Sequence, residues 1–146
     1  MTKTKLLCEE LHNIPWQDRP EGCTAPVWRY SENPVVPRNP VPGVARIFNS
    51  AVAPYDGAFI GVFRGEQVNG IPYIYLGHSE DAIHWEFEQE KIPFMDEDGK
   101  PFMPPYAYDP RLVQVEDAWY IIWCQDLIEN SIIPFWRISI LVKKEE

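Results

Sequence analysis

Asn49, in Phe48-Asn49-Ser50, and Asp109, in Tyr108-Asp109-Pro110, stand sixty residues apart, each directly after an aromatic side chain. An amide and a carboxylate brought together with an arginine nearby can hold sugar hydroxyls and donate a proton. Asp109 before Pro110 also has the form of a turn cap, and spacing alone leaves both readings open. Arginines stand on both sides of Asn49. From Val27 to Gly65 the basic residues are Arg29, Arg38, Arg46 and Arg64, opposed only by Glu32 and Asp56, and no lysine occurs between Lys5 and Lys91. A guanidinium is a fixed, planar, multi-donor group suited to hydroxyls and anions. The same arginines also fit as covers for aromatic faces or as partners of nearby acids. His78 and His84 lack a Cys or His partner at ligand spacing, so an edge or turn role is expected for them rather than metal binding.

These residues need elements that present them. Residues 48–63 and 108–123 share one order: aromatic residue, polar head, strand, acidic turn, alanine followed by an aromatic, apolar strand. Asn49 and Asp109 occupy the same place in that order. Hairpins recurring at ~40 to 60 residues suggest the blades of a β-propeller, whose first strands line a shared channel. Strands are predicted near 44–53, 58–64, 71–78, 83–88, 111–116, 118–124 and 132–142, separated by tight-turn pairs such as Asp56-Gly57 and Asn69-Gly70. Residues 4–12 carry apolar side chains at helical spacing and predict a short amphipathic helix ending before Pro15. Seven prolines from Pro15 to Pro42 forbid both regular helix and central strand there. The expected architecture is all-β: a helix and extended arm over 1–43, then a partial propeller of about two blades over 44–146.

The 146 residues suit one domain, and 45% hydrophobic with 14% aromatic content supplies a core, which excludes a disordered tail or a collagen-like chain. Trp28, Trp85, Trp119 and Trp123 are core candidates, although an aromatic at a rim can also stack on a sugar face. Thirteen basic against twenty-two acidic residues give a formal charge of −9, which disfavours a nucleic-acid partner. Eight acids between Glu80 and Asp98 read as a solvated edge. No apolar run approaches the ~18 residues of a membrane span, and Leu6-Leu7-Cys8 is too short for a signal-peptide core, so a cytoplasmic chain is expected. Cys8, Cys23 and Cys124 are odd in number and widely spaced, which predicts reduced thiols.

Several motifs in order resemble the N-terminal part of glycoside hydrolase family 130, the β-mannoside phosphorylases. They are Pro15-Trp16-Gln17-Asp18-Arg19-Pro20-Glu21-Gly22-Cys23, Pro26-Val27-Trp28-Arg29-Tyr30-Ser31-Glu32-Asn33-Pro34, Arg46-Ile47-Phe48-Asn49-Ser50-Ala51-Val52, Gly61-Val62-Phe63-Arg64, Ser79-Glu80-Asp81-Ala82-Ile83-His84-Trp85 and Tyr108-Asp109-Pro110-Arg111. The resemblance covers roughly residues 10–126, and the subgroup it is most similar to acts on mannosyl-glucose. It implies a five-bladed propeller that cleaves a β-1,4-mannosidic bond with inorganic phosphate as co-substrate and no cofactor, giving α-mannose 1-phosphate with inversion. It also implies Asp109 as the catalytic acid, relaying its proton through a sugar hydroxyl. Arg38, Asn49 and Arg64 match positions expected to hold the mannose and its neighbour, and Ser50 and Arg111 are further substrate-contact candidates. For these two, the alternatives are that Ser50 bonds only a strand edge and that Arg111 pairs with Glu116 or Asp117.

The implied chemistry agrees with physical need. An inverting hydrolase requires a second carboxylate ~6.5 to 9.5 Å from the acid to deprotonate water, whereas phosphate is already a nucleophile. One motif-embedded aspartate in an arginine-rich, lysine-poor half of the chain fits phosphorolysis. Family members are more than twice this long, and by the resemblance their later blades supply most phosphate contacts. After Cys124-Gln125-Asp126 the pattern fades, so an interruption near residue 127 is expected. Partners implied are a β-mannoside oligosaccharide and phosphate. Open strand edges or the N-terminal helix would pair copies into a homo-oligomer. The alternative is a non-catalytic, sugar-binding or oligomerising remnant.

Overall fold

The computed structural model describes residues 14–15, 17–96 and 98–125, and the backbone of 135–143. Among these the chain is all-β with no helix, and the helix expected over 4–12 lies outside the described residues. The strands run in the order β1 (Val44–Tyr55), β2 (Ala58–Gln67), β3 (Pro72–Ser79), β4 (Glu86–Lys91), β5 (Phe94–Met95), β6 (Pro101–Phe102), β7 (Ala107–Val115), β8 (Ala118–Gln125) and β9 (Phe135–Lys143). They form three antiparallel meanders: a four-stranded sheet β1-β2-β3-β4, a ribbon β5-β6, and a three-stranded sheet β7-β8-β9. No closed ring is present among the described residues.

The sixty-residue repeat holds at the level of register. Tyr55 pairs with Ala58 as Val115 pairs with Ala118, Val52 with Gly61 as Leu112 with Ile121, and Phe48 with Arg64 as Tyr108 with Cys124. Both hairpins open with a non-glycine residue at positive φ, Asp56 at 49° and Glu116 at 54°. Positive φ at that position gives a two-residue turn the twist its strands require.

The two larger sheets are joined by a common core. Val62 and Ile74 of the first meet Ala107, Ile121 and Trp123 of the second, with Phe94 of the ribbon between them. The Trp123 ring stacks on Phe94 at 3.8 Å between centroids. Burying an aromatic or branched side chain of this kind contributes about 1.5–3 kcal/mol. Strand β2 is covered on both faces, as its apolar run Phe59-Ile60-Gly61-Val62-Phe63 requires. Of the four tryptophans expected in the core, Trp123 is buried, while Trp28, Trp85 and Trp119 are half-buried. Among the described residues, Cys23 and Cys124 form no disulfide.

Three departures from the expected strands have local causes. The segment 83–85 is not strand, because the Asp81 carboxylate accepts the amide N–H of Ile83 at 2.9 Å and of His84 at 2.8 Å. A side chain that captures these amides offers the backbone a turn in place of a ladder. β7 starts at Ala107 rather than 111, since the strand runs through Asp109-Pro110 as a bulge. The β5-β6 ribbon, two residues a side, was not expected. β4 turns Glu86, Glu88 and Glu90 to solvent, so the acidic run blunts the sheet edge.

Among the described residues before β1 there is no helix or strand, as the prolines dictate. The Gln17 amide closes a loop on Ser31, donating to its Oγ and accepting from its N–H, both at 2.9 Å. The end of this arm lies on the first sheet: Asn39 N donates to Ala45 O at 3.2 Å, and buried Val41 meets Val44 and Tyr75.

Candidate active site at the paired bulges

Each repeat carries one irregularity at its head. In β1, Phe48 pairs with Arg64 and Ser50 with Phe63, so Asn49 is the extra residue of a bulge. In β7, Tyr108 pairs with Cys124 and Arg111 with Ile122, so Asp109 and Pro110 together oppose Trp123. A bulge breaks the alternation of side chains and re-aims the residue it holds. Asp109 also sits at φ 51°, where a side chain other than glycine costs about 1–3 kcal/mol unless its surroundings fix it. Pro110 is buried and has no N–H to lose from the ladder.

The two bulges face each other. Asn49 Nδ2 donates to Asp109 Oδ1 at 2.5 Å, across the sixty-residue separation. Arg64 reaches the same oxygen from β2, its Nη1 lying 3.6 Å away. The Asp109 side chain is 29% exposed and that of Arg64 21%, so both are shielded yet open to a ligand. Strand alternation puts Glu66 on the same face of β2 as Arg64. Its Oε1 accepts from Arg46 Nε at 3.1 Å and Nη2 at 2.9 Å, while Oε2 lies 4.0 Å from Arg64 Nη2. Both guanidiniums lie over the Phe48 ring, at 5.2 Å and 5.4 Å from its centroid, and Arg64 also lies 5.6 Å from the Tyr108 ring. Two cations and two carboxylates thus share one aromatic-lined patch. The Arg64 Nε is buried with no hydrogen-bond partner.

Of the residues singled out in the sequence, Asp109, Asn49 and Arg64 come together. Ser50 stands beside them, but its hydroxyl donates to Phe48 O at 3.2 Å, a bond within its own strand. Arg111 pairs with neither Glu116 nor Asp117. Its Nη1 donates to the carbonyls of Pro110 at 2.9 Å and Asp109 at 3.4 Å, bracing the bulge. Arg38 is exposed in the arm next to Asn39, and none of the cluster's hydrogen bonds or ion pairs reaches it. Arg46 and Glu66 were missed as site residues. No local signal gave them: the hairpin register carried unbroken from Tyr55 and Ala58 would set Arg46 opposite Gln67, and the bulge at Asn49 shifts its partner to Glu66.

A concavity of about 470 Å³ lies elsewhere and shares none of these residues. It is lined by Tyr55, Asp56, Phe59, His78, Asp81, Trp85 and their neighbours. Phe59 and Arg64 are five residues apart on β2, about 17 Å along the strand. The concavity holds the Asp81 turn, where Asp81 Oδ2 lies 2.7 Å from His84 Nδ1. Hydrogen bonds from the His84 amide and ring, and from Ile83 N–H, hold the Asp81 carboxyl well below the usual carboxylate range. The bond to Asp81, with its charge, raises the His84 ring above its ordinary value. The turn role expected of His84 is what the structure shows. His78 stands on β3 with Nε2 4.0 Å from Glu88.

The profile of the beta-1,4-mannooligosaccharide phosphorylases matches residues 8–133, the paired bulges included. The chain belongs to glycoside hydrolase family 130. It is 40% identical to the beta-1,4-mannooligosaccharide phosphorylase of Ruminococcus albus over 160 aligned residues, covering 92% of this chain and 48% of the relative. The chain therefore spans about half the length of the curated relative it matches. Among solved structures it is similar to one reported for family 130 glycoside hydrolases that target beta-1,2 mannosidic linkages in Candida mannan, at 25% identity and TM-score 0.51. That match covers 65% of this chain and 28% of the other. A glycosyl hydrolase from Bacteroides ovatus shares the fold, with TM-score 0.52 at 20% identity, over 65% of this chain and 28% of that one.

Proposed function

We propose that this family 130 chain carries the sugar-holding and proton-donating part of a β-mannoside phosphorylase site, acting on mannosyl-glucose or a mannooligosaccharide, with Asp109 as the acid. The observation that carries the reading is the meeting of Asn49, Asp109 and Arg64 at two bulges of identical register. In this reading the first and third sheets are two blades of a five-bladed propeller, and β1 and β7, which pack together, are their leading strands.

Asp109 gives its proton, through a sugar hydroxyl, to the glycosidic oxygen. As the bond from that oxygen to the mannose anomeric carbon breaks, a phosphate oxygen bonds to the carbon from the opposite face. The products are α-mannose 1-phosphate and the free sugar. Asn49 and Arg64 orient mannose hydroxyls at the acid, and Arg38 and Ser50 complete the sugar contacts. Arg111 keeps the Asp109 backbone in its bulge. The nearby carboxylate Glu66 is bonded to Arg46 rather than free to activate water, which favours phosphate over water as the nucleophile.

The test is release of α-mannose 1-phosphate from β-1,4-mannobiose and inorganic phosphate. Replacing a general acid costs ~10² to 10⁴ in rate, so Asp109→Asn is expected to lower turnover by that factor with the fold intact. Turnover by the variant equal to that of the parent would remove Asp109 from its role. A second reading is that the chain binds sugar without turnover. Calorimetry separates the two: mannobiose binding indifferent to phosphate, with no product formed, selects the second.

A further inference from the structure

We propose that Glu66 is a positioning residue, the carboxylate that ranks Arg46 and Arg64 along the Phe48 ring and so delivers the Arg64 guanidinium to Asp109. The inference rests on the proposed function for its sugar chemistry, but not for its geometry. Glu66 is the carboxylate in the cluster that faces both arginines: Oε1 takes two N–H donors from Arg46 and Oε2 faces Arg64 Nη2. Its side chain is only 17% exposed, against 56% for Arg46, so the carboxylate is the fixed member and the outer arginine is the one it holds. Arg64 makes no close hydrogen bond of its own to Asp109. Its guanidinium is held by two carboxylates at longer range and by two aromatic rings, with Nε enclosed and unbonded. A cation held this loosely at its donors keeps them free for sugar hydroxyls, and it stays in place only while the surrounding charges fix its direction.

Two properties of Glu66 matter: its charge, and the length that lets it span Arg46 and Arg64. Glu66→Gln keeps the length and removes the charge. Glu66→Asp keeps the charge on a shorter stem. If Glu66 only filled space in β2, the Gln variant would behave as the parent.

The test on the chain itself is hydrogen exchange of the Arg64 Nε–H, followed by NMR of guanidinium-labelled protein and assigned through Arg64→Lys. The enclosed proton is expected to exchange slowly in the parent. In Glu66→Gln its exchange is expected to quicken at least threefold, with amide shifts outside β1, β2 and β7 unchanged, and Glu66→Asp to recover most of the protection. Exchange in Glu66→Gln equal to the parent, or equal quickening in both variants, overturns the proposal. Titration with β-1,4-mannobiose is the second readout, with affinity expected to fall about tenfold in Glu66→Gln and to return to within about threefold in Glu66→Asp. If exchange quickens as described but the parent binds no mannobiose, the proposed function falls and the positioning role of Glu66 stands.

Discussion

At the scale of single residues, the cluster shows how a side chain acquires a role from backbone geometry. Asp109 is not deeply buried; it is set apart by a bulge, a positive φ and a donor on either side. His84 is the contrasting case, a titratable residue whose partner stabilises a turn rather than a ligand. Its folded value lies above the ordinary 6.5, so the stability it contributes is complete below that value and is lost as pH rises through the raised one. Asp81 contributes in the opposite sense, above the ordinary carboxylate value of 3.8 and down to its lowered one. The Asp81 turn is therefore tightest from about pH 4 to about pH 6. Thermal melts across pH 5–9 are expected to show a small loss of stability on the alkaline side of neutrality that His84→Ala lacks. An identical pH profile in the variant would assign the step elsewhere.

At the scale of elements, period and turn chemistry made most of the strands legible. Alternating and β-branched runs between Asp-Gly and Asn-Gly pairs placed β1, β2 and β3 within a few residues. The β5-β6 ribbon escaped because two residues a side carry no periodicity. The start of β7 escaped because Asp-Pro reads as a break, whereas here a bulge absorbs it. Nor does periodicity show the glycines that admit aromatic rings. Gly61 and Gly77 are paired across β2 and β3, and the Phe63 ring lies over both. A methyl group on Gly61 would come 2.7 Å from Phe63 Cζ and 3.0 Å from Trp85 Cζ3. Gly61→Ala is therefore expected to destabilise the chain by about 1–3 kcal/mol, read as a lowered urea midpoint at unchanged slope. A midpoint equal to the parent's would mean that the rings have room to move.

At the scale of the molecule, the sixty-residue repeat was the informative signal, because it set Asn49 and Asp109 at equivalent places before any contact was known. The pairing partners of β1 and β7 repeat at the same interval. The sequence did not reveal the charge network around the pair: Arg46, Glu66 and Phe48 join the site only through cross-strand register, which no local pattern encodes. Two places on the molecule now compete for a sugar, the cluster at the paired bulges and the concavity around Trp85 and His78. The decisive measurement is a ¹⁵N-resolved NMR titration of the chain with β-1,4-mannobiose. Movement confined to the signals of Asn49, Arg64 and Asp109 and their strand neighbours is the expected result; movement centred on Tyr55, His78 and Trp85, or none anywhere, would contradict it.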